Sequence, residues 1–428
     1  MSMSVHGFDD FLGNIPLSKE TEGDTAISKI ATSWSKLFML KNNGSVQIWG
    51  YQNEFYNKTV CEVIKTVKDV SFLDETLIVS DIHRQLYAIT DNNICYKVLF
   101  HENLLKDNQT YNVATTEKDL IMVLDDTTCF MCENMPNEIK NKQQSTEPTV
   151  KEQTTQQTTD LLPELQLHMR FLCSSIAEVS CGKEHVLLLT MYGAVLTFGG
   201  GSRGQLGNGT VESSNTPKIV ECLAGLKIQT IAAGGWHSVC VSECGDVYCW
   251  GWNESGQLGL HSNSVHERHH DKHKNNDSQG NSDVNKEDQV DIQLYVDKCE
   301  HKIVPDISKE EASSKNKALD KYESVKFLQN TDPVQIQSIP YLIDLRDKFS
   351  IQRASCGSRH TALLSDGMLL TAGWNDYGQL CQSDRITRDY FETVKEYIKS
   401  EIYVKNVYCG PWSTIIIHVP RSEQVACL

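Results

Sequence analysis

The sequence predicts an all-β fold, namely a seven-bladed β-propeller whose N- and C-terminal segments pair to close the ring. The first reason is a motif that occurs three times, in Ser180–Gly207, Thr230–Gly259 and Ser355–Cys381. In each copy a small-residue turn leads to a histidine, an alternating strand, a glycine turn, a second strand and a polar loop that contains Gly-Gln-Leu. The second reason is that weaker copies fill the remaining chain. Repeats of roughly 40 to 50 residues with four short strands are typical of propeller blades.

The weaker copies bring the number of blades to seven. The first strands of the seven copies contain Ala31, Val70, Val113, Val179, Ala232, Ala354 and Val407. The last copy ends before the strand and loop that follow the glycine turn in the complete copies. Because Gly7–Gly13 resembles a loop of the Gly-Gln-Leu-Gly type, we expect the N-terminal segment to complete the last blade. Such closure removes exposed sheet edges.

The spacing of the repeated histidines places a long insertion inside one repeat. His185 and His237 are one blade apart, whereas the interval from His237 to His360 is much longer. The excess lies between Gly259 and Pro333, in a stretch rich in His, Asn, Asp, Lys and Ser. Such a composition cannot bury enough apolar surface to offset chain entropy. We therefore expect a disordered insertion within an otherwise continuous array of blades.

Length alone would suggest two or three domains, but the repeats indicate a single domain in five segments. These are an N-terminal closing segment with degenerate blades (1–132), a disordered loop (133–160), the best-formed repeats (161–260), the low-complexity insertion (261–331) and the C-terminal repeats that complete the same domain (332–428).

Composition argues against several classes of function. The formal net charge is −16, and DNA affinity depends on bound Lys and Arg, so direct DNA binding is not expected. The first residues lack a basic region followed by an apolar core, and no run of about 18 apolar residues occurs, so we expect neither a signal peptide nor a membrane span. Fifteen scattered cysteines indicate reduced thiols in the cytosol or nucleus.

The repeated cysteines and histidines are predicted to be structural. Cys181, Cys356 and Cys409 share one position before a glycine, where a free cysteine acts as a small buried hydrophobe. The repeat histidines fall in separate blades, so we expect hydrogen bonds to neighbouring loops instead of a shared catalytic site. The predicted structural positions are His185, His237, His360, Gly182, Gly234, Gly357 and Gly410.

No metal site, cofactor or catalytic constellation is expected. Four histidines between His266 and His273 would share one helix face, but the surrounding residues have low helix propensity. Cys129 and Cys132 form a Cys-x-x-Cys pair in a strand-like run, without further zinc ligands at comparable spacing. The glycine-rich loops lack the Gly-Lys-Ser/Thr of a phosphate-binding loop, and their glycines suit positive φ at blade corners. The sequence therefore predicts a protein that is not an enzyme.

The polar loops between blades are the candidate partner-binding positions. The predicted residues, all on one rim of the propeller, are Arg203, Trp252, Asn253, Glu254, Trp374, Asn375 and Asp376. Trp and Arg on rigid loops often dominate the energetics of protein interfaces. Arg203, Glu254 and Asp376 differ between blades, so the repeat does not dictate them. The alternative is that the tryptophans seal neighbouring blades.

The motifs together resemble the regulator-of-chromosome-condensation repeat family. They are the turn Cys/Ala-Gly-x-x-His, the hairpin Gly-x-Val-Tyr-x-Trp-Gly and the loop Gly-Gln-Leu-Gly. The resemblance is strong in Ala177–Gly225, Ile228–Gly259 and Asp332–Cys381, and weak in most of the rest. It implies a monomeric, non-catalytic propeller that binds protein partners in the nucleus, on chromosomes and in the cytosol.

The resemblance implies one main function and leaves two alternatives open. The main one is an adaptor for a Jumonji-C-domain dioxygenase, with a role in histone methylation at centromeric repeats, chromosome segregation and spindle or microtubule organisation. Contact with chromatin and histones would then be indirect. The first alternative is guanine-nucleotide exchange on a small Ran-like GTPase, although the insertion lacks a glycine-tipped hairpin for that task. The second is a scaffold in the ubiquitin pathway or the cytoskeleton.

Overall fold

The structure is a computed structural model, and it describes most of the repeat region. The described residues are 2–7, 27–33, 36–41, 46–50, 67–73, 76–83, 85–90, 94–100, 111–124, 127–135, 139, 162–265, 333–345 and 349–424. The chain divides into two units, Met1–Val265 with Val325–Leu428 and, separately, His266–Ser324. The second unit lies outside the described residues. So do the histidines predicted at 266–273, the loop predicted at 8–13 and most of 133–160.

The first half of the chain forms strands β1 to β13. They are β1 (Ser2–Gly7), β2 (Ile27–Thr32), β3 (Lys36–Lys41), β4 (Val46–Gly50), β5 (Val67–Leu73), β6 (Thr76–Asp81), β7 (Leu86–Ile89), β8 (Cys95–Phe100), β9 (Tyr111–Thr115), β10 (Leu120–Leu124), β11 (Cys129–Cys132), β12 (Glu164–Leu167) and β13 (Arg170–Cys173). Blade 1 contains β2 to β4, blade 2 contains β5 to β8 with β12, and blade 3 contains β9 to β11 with β13.

The second half forms strands β14 to β27 in four further blades. Blades 4, 5 and 6 contain four strands each, namely β14 (Ile176–Cys181), β15 (His185–Thr190), β16 (Val195–Gly199), β17 (Ser214–Ile219), β18 (Ile228–Ala233), β19 (His237–Ser242), β20 (Val247–Trp252), β21 (Ile336–Leu342), β22 (Arg353–Cys356), β23 (His360–Ser365), β24 (Met368–Gly373) and β25 (Arg388–Thr393). Blade 7 contains β26 (Ile402–Cys409), β27 (Ser413–Pro420) and β1. Short helices are a 3₁₀ turn (Glu221–Leu223), α1 (Lys395–Lys399) and α2 (Arg421–Gln424).

This arrangement is a seven-bladed β-propeller, so the predicted fold class is confirmed. Consecutive antiparallel strands are neighbours in each sheet, and β12 alone among the described strands joins its sheet in parallel. The seven residues predicted to mark the first strands all lie in them, in β2, β5, β9, β14, β18, β22 and β26. Among the described residues, no helix is long and apolar enough to cross a membrane.

The core is a ring of seven apolar clusters in the described part of the chain, and each cluster joins two neighbouring blades. Between blades 4 and 5, for example, Leu187 packs with Cys240 and Trp250. The second strands β19 and β23 are buried along their whole length. They are buried on both faces because a blade is covered on both sides by its neighbours, and polar residues such as Ser238 and Thr361 are buried with the apolar ones.

The N-terminal strand completes the last blade, as predicted. Strand β1 pairs antiparallel with β27, from Ser2 opposite His418 to Gly7 opposite Ser413. Gly7 thereby takes the place that Gly251 has opposite His237 in blade 5. Both glycines have positive φ, 108° and 106°, a conformation that other residues rarely adopt. Pairing the two ends of the described chain closes the ring.

The first three blades extend beyond residue 132, the boundary that the sequence suggested. Strand β12 lies at the outer edge of blade 2, and β13 is the fourth strand of blade 3, where Phe171 contacts Phe130 with ring centroids 5.9 Å apart. These outer strands have few buried residues. β13 has no buried residue, and β12 alternates exposed and buried residues over only four positions, which is too short a run to mark a strand.

The long insertion belongs to the loop between the third and fourth strands of blade 5. At its base the Asn253 N–H donates to the Gln335 carbonyl at 2.7 Å, and the Val334 N–H donates to the His261 carbonyl at 2.8 Å. These bonds bring the two ends of the insertion together. The blade can therefore form its third and fourth strands in spite of the residues between them.

Replacement Gly7→Ala should weaken ring closure. A Cβ atom at Gly7 would lie 2.3 Å from the Trp412 carbonyl oxygen, whereas a Cβ at Gly225, which also has positive φ (+86°), meets nothing within 4 Å. Left-handed strain costs roughly 1–2 kcal/mol for a residue with a Cβ, and overpacking adds roughly 1–3 kcal/mol. In urea unfolding we expect G7A to lose more free energy of unfolding than the control G225A. Equal losses would contradict the proposed closure contact.

Candidate functional site

A chain of buried hydrogen bonds connects each well-formed blade to the next. In blade 4 the Nε2 atom of His185 lies 3.0 Å from Oγ of Ser238 in blade 5, and that hydroxyl donates to the Gln205 carbonyl of blade 4 at 2.8 Å. Because the hydroxyl proton is used there, the histidine Nε2 is the donor in the first bond. We call this arrangement the histidine bridge.

The histidine bridge recurs at the next two blade boundaries. His237 bonds Thr361 at 2.9 Å, and Thr361 donates to the Gln257 carbonyl at 2.7 Å. His360 bonds Thr414 at 3.0 Å, and Thr414 donates to the Gln379 carbonyl at 2.6 Å. All three imidazoles are fully buried. These contacts give the histidines an architectural role between blades, and each bridge also fixes one Gly-Gln-Leu loop.

The glycine before each histidine is needed for close packing rather than for backbone conformation. A Cβ at Gly234 would lie 2.1 Å from Cε1 of His237 and 2.6 Å from the carbonyl oxygen of Gly357. Equivalent atoms crowd Gly182 and Gly357, whereas Gly410 is crowded by the hydroxyls of Ser413 and Thr32. The turns are also bonded in sequence, since the Gly235 N–H donates to the Gly357 carbonyl at 3.1 Å. No side chain larger than hydrogen fits at these turns.

These turns surround the mouth of a central channel. First strands from all seven blades line the channel, which has a volume of about 690 Å³. Glu178 faces it, and burial raises the pKa of this carboxyl group to about 7, against the opposing effects of the Ile231 N–H and Arg353. We call the face that carries the turns at 182–184, 234–236, 357–359 and 410–412 the front face. The opposite or back face carries turns such as 191–194.

The histidine bridges predict a dependence of stability on pH. Burial lowers the pKa of His185 and His360 to about 4 and that of His237 to about 3, from an ordinary value of 6.5. Between these values the unfolded state binds more protons than the folded state, so the free energy of unfolding falls as the pH falls. Each histidine contributes a slope of up to about 1.4 kcal/mol per pH unit. The raised pKa of Glu178 opposes one such contribution.

Urea unfolding at a series of pH values measures how the free energy of unfolding changes with pH. His237→Gln should reduce this slope by the contribution of one histidine, because glutamine does not titrate. The exposed His168 offers a matched control, for which His168→Gln should leave the slope unchanged. If the wild type and H237Q had the same slope, the bridge histidine would not be buried in its neutral form.

On the front face two loop positions of each blade meet. The Trp252 N–H donates to the Trp236 carbonyl at 2.9 Å, and the Trp374 N–H donates to the Arg359 carbonyl at 2.8 Å. One partner is the residue before the repeat histidine. The other follows the glycine near the end of the third strand. The histidine bridge therefore fixes the backbone beside these side chains, and the side chains at the two positions become neighbours.

Tryptophans and cations alternate along this face. The Cζ atom of Arg203 lies 5.1 Å from the ring centroid of Trp236 and 4.3 Å from that of Trp252. The Cζ atom of Arg359 lies 4.7 Å from the ring centroid of Trp252 and 5.9 Å from that of Trp374. Such contacts contribute roughly 0.5–2 kcal/mol each. They hold long charged side chains in fixed positions.

Further rings extend the row at both ends. The ring centroids of Trp236 and Trp252 are 5.4 Å apart, and those of Trp374 and Trp412 are 5.0 Å apart. Tyr377 packs edge-on against Trp374. The aromatic–cation cluster, as we call it, contains Lys183, Arg203, Trp236, Trp252, Arg359, Trp374, Tyr377 and Trp412.

Two of the predicted partner-binding residues need correction. Asn253 and Asn375 are fully buried, so their side chains cannot contact a partner. The Asn253 amide donates to the Leu260 and Val334 carbonyls, and its Oδ1 accepts the Leu258 N–H. Asn375 makes equivalent bonds within its own loop. Both side chains hold the loops that carry the cluster, because a polar loop folded back on a blade must satisfy its own backbone groups.

The other predicted residues lie in or beside the cluster. Arg203, Trp252 and Trp374 are members, although Trp252 is only 7% exposed and contacts both Arg203 and Arg359. Glu254 is half-buried and Asp376 exposed in the same loops. The alignment of Arg203 with Glu254 and Asp376 was off by one position. Arg203 corresponds to Ser255 and Tyr377, because the N–H group of each bonds the glutamine of its own Gly-Gln-Leu loop.

Sequence reasoning missed five of the eight cluster residues, namely Lys183, Trp236, Arg359, Tyr377 and Trp412. A signal was available, because the residue before the repeat histidine changes from Glu184 to Trp236 and Arg359, while that histidine and the glycine three positions before it are the same in all three copies. A position that the repeat leaves free, next to one that it fixes, is a candidate for function. The missing information was which strand ends meet on one face.

Comparison with known proteins agrees with this geometry. The model of the regulator of chromosome condensation (RCC1) repeat matches residues 192–241 and 244–273, and a second model of the same description matches 228–257 and 351–379. RCC1 domain-containing protein 1 of Mus musculus is 35% identical over 250 residues, and that of Homo sapiens is 36% identical over 251 residues. Each alignment covers 58% of this chain and 57% of the relative, which is less than two thirds of its length.

Two further similarities concern a plant receptor and a yeast structure. The ultraviolet-B receptor UVR8 of Arabidopsis thaliana is 30% identical over 256 residues, covering 59% of this chain and 52% of the receptor. The crystal structure of Prp20p from Saccharomyces cerevisiae, a protein studied for its binding to Gsp1p and histones, matches with a TM-score of 0.59 at 14% identity. That match covers 100% of this chain and 95% of Prp20p, and it shows a shared fold.

The fold and the repeated front-face loops define a class, the repeat-built β-propellers that present loops on a rigid ring. Within this class the chain contains RCC1 repeats in the matched ranges given above. The yeast structure shares the fold.

Proposed function

We propose that this protein is a non-catalytic adaptor that binds a protein partner through the aromatic–cation cluster. The observation that carries the proposal is the row of tryptophan and arginine side chains on one face of a rigid ring. These residue types are enriched where a few side chains dominate binding energy. Because neighbouring rings already hold the arginines in place, binding of a partner would cost little further side-chain conformational entropy.

The partner that the proposal names is a Jumonji-C-domain dioxygenase that acts on chromatin. The support is the similarity to RCC1 domain-containing protein 1 over 58% of this chain. The adaptor would act in histone methylation at centromeric repeats, chromosome segregation and spindle organisation, and would be found in the nucleus, on chromosomes and in the cytosol. The iron and 2-oxoglutarate of such a partner would be held by the partner alone. Histones would be reached through it.

A second candidate is guanine-nucleotide exchange on a small Ran-like GTPase. What favours it is the fold shared with Prp20p along the whole chain, together with the binding of Prp20p to Gsp1p. The two candidates differ in a measurable way. An exchange factor accelerates nucleotide release from its GTPase, whereas an adaptor retains its partner without changing bound nucleotide.

Affinity purification from cells followed by mass spectrometry tests the proposal. The tagged full chain is compared with a front-face variant, Trp374→Ala with Trp412→Ala, and with a back-face control, Met191→Ala with Tyr192→Ala. The control side chains are 60% and 80% exposed, so both variants remove two surface side chains. We expect the front-face variant to lose the dioxygenase at least roughly tenfold, as hot-spot residues do. The control should retain it.

Thermal unfolding of both variants shows whether the loss reflects binding or folding. Equal retention of the dioxygenase by both variants would place the interface elsewhere. Enrichment of a small GTPase that releases nucleotide on addition of this protein, with no dioxygenase, would favour the second candidate.

A further inference from the structure

Arg203 is an arginine whose charge has no anionic partner in the described chain. Its guanidinium group contacts the rings of Trp236 and Trp252, and its backbone N–H donates to the Gln205 side chain at 2.8 Å. No described carboxylate forms an ion pair with it. By contrast, Lys183 pairs with Glu117 at 2.7 Å. Arg203 is therefore held in place by rings that satisfy none of its five N–H groups.

The two rings cannot both cover the flat face of the guanidinium. Trp236 and Trp252 are nearly perpendicular, at 88°, so the planar group can lie flat on only one of them. A guanidinium that lies flat on a ring keeps its N–H groups pointing outward at its edge, in its own plane. Arg388 shows how such an edge is used elsewhere in this chain, since its Nη1 and Nη2 atoms both bond the Asp384 carboxylate, at 2.9 and 2.8 Å. At Arg203 the same paired donors have no acceptor in the described chain. The side chain is half-buried. Its attraction to a bound carboxylate is therefore screened less than it would be at a fully exposed site.

Local charge favours an anionic group at this position although the chain as a whole is acidic. Of the cations along the cluster, Lys183 is paired with Glu117, whereas no described carboxylate pairs with Arg203. At physiological ionic strength charges are screened beyond about 8 Å, so Arg203 determines the potential beside it more than the net charge of −16 does. A nucleic acid presents phosphates over a long distance and gains affinity from many cations. A single carboxylate needs only one arginine. An acidic protein segment therefore fits this surface better than a nucleic acid does.

We infer that Arg203 is a carboxylate-binding position, and that the segment of the partner that docks on the aromatic–cation cluster is an acidic peptide. A glutamate or aspartate of that segment accepts two parallel N–H bonds from Arg203 while its neighbours pack on Trp236. The inference rests on the proposed function, because it names the chemistry of the partner at the same face. It adds one position, Arg203, at which binding of the partner requires both the charge and the planar geometry of the guanidinium.

Fluorescence anisotropy with a fluorescein-labelled oligo-glutamate peptide tests the inference on the full chain. We expect the wild type to bind the peptide, and Arg203→Ala to weaken binding at least roughly tenfold, as for loss of a charge-assisted pair. Arg203→Lys keeps the charge but loses the planar fork, so binding should also weaken. Lys218→Ala removes an exposed cation on the outer strand β17 and should bind like the wild type. Added sodium chloride should weaken binding to the wild type.

Several results would overturn the inference. The wild type could fail to bind oligo-glutamate at low ionic strength, or bind a neutral oligo-glutamine peptide equally well. The variants would contradict the inference if K218A and R203A lost equal peptide affinity, or if R203K bound the peptide as tightly as the wild type does. So would tighter binding of single-stranded DNA, or light scattering that shows a second copy of this chain as the occupant. If R203A does not fold, R203K and the salt dependence still provide the test.

The inference and the proposed function can fail separately. If the front-face variant loses its partner while R203A retains it, the face binds a partner without a carboxylate at Arg203. If the back-face control loses the partner instead, the proposed function fails whatever the peptide does. Displacement of the captured partner by unlabelled oligo-glutamate would support both.

Discussion

The bond between a buried histidine of one blade and a hydroxyl group of the next is the interaction on which the front face depends. His237 and Thr361 illustrate it, because the threonine hydroxyl also fixes the Gln257 carbonyl. One short chain of bonds therefore sets the spacing of two blades and the position of a loop. The glycine before the histidine makes room for this contact, since any Cβ at Gly234 would collide with the imidazole.

The aromatic–cation cluster is a consequence of this geometry. The histidine bridge fixes the residue before each histidine, and the glycine near the end of each third strand fixes the residue that follows it, so two side chains per blade meet on one face. In blades 5 and 6 these residues are Trp236 with Trp252 and Arg359 with Trp374. Their positions follow from the repeat, whereas their identities do not. The architecture is thus shared between blades, and the binding chemistry is specific to this chain.

The fold was predictable from sequence because the repeat encodes it locally. Histidine, glycine turn and Gly-Gln-Leu recur in order, and even the weak copies kept their first strands, such as that around Val70. The outer strands β12 and β13 were not located, because β13 buries no residue and β12 alternates over only four positions. The site was predicted only in part. Asn253 stood beside Trp252 in the sequence, but its amide is turned inward to satisfy loop carbonyls, which no local pattern reveals.

Hydrogen–deuterium exchange on the complex with the captured partner tests the central claim most directly, namely that the front face is the binding surface. The account predicts protection on binding in the front-face segments 200–206, 234–237, 357–360 and 374–380, which carry the cluster. The back-face turns 191–194 and 243–246 should exchange as they do in the free protein. Protection confined to the back-face turns or to the outer strands, with the front-face segments unchanged, would contradict it.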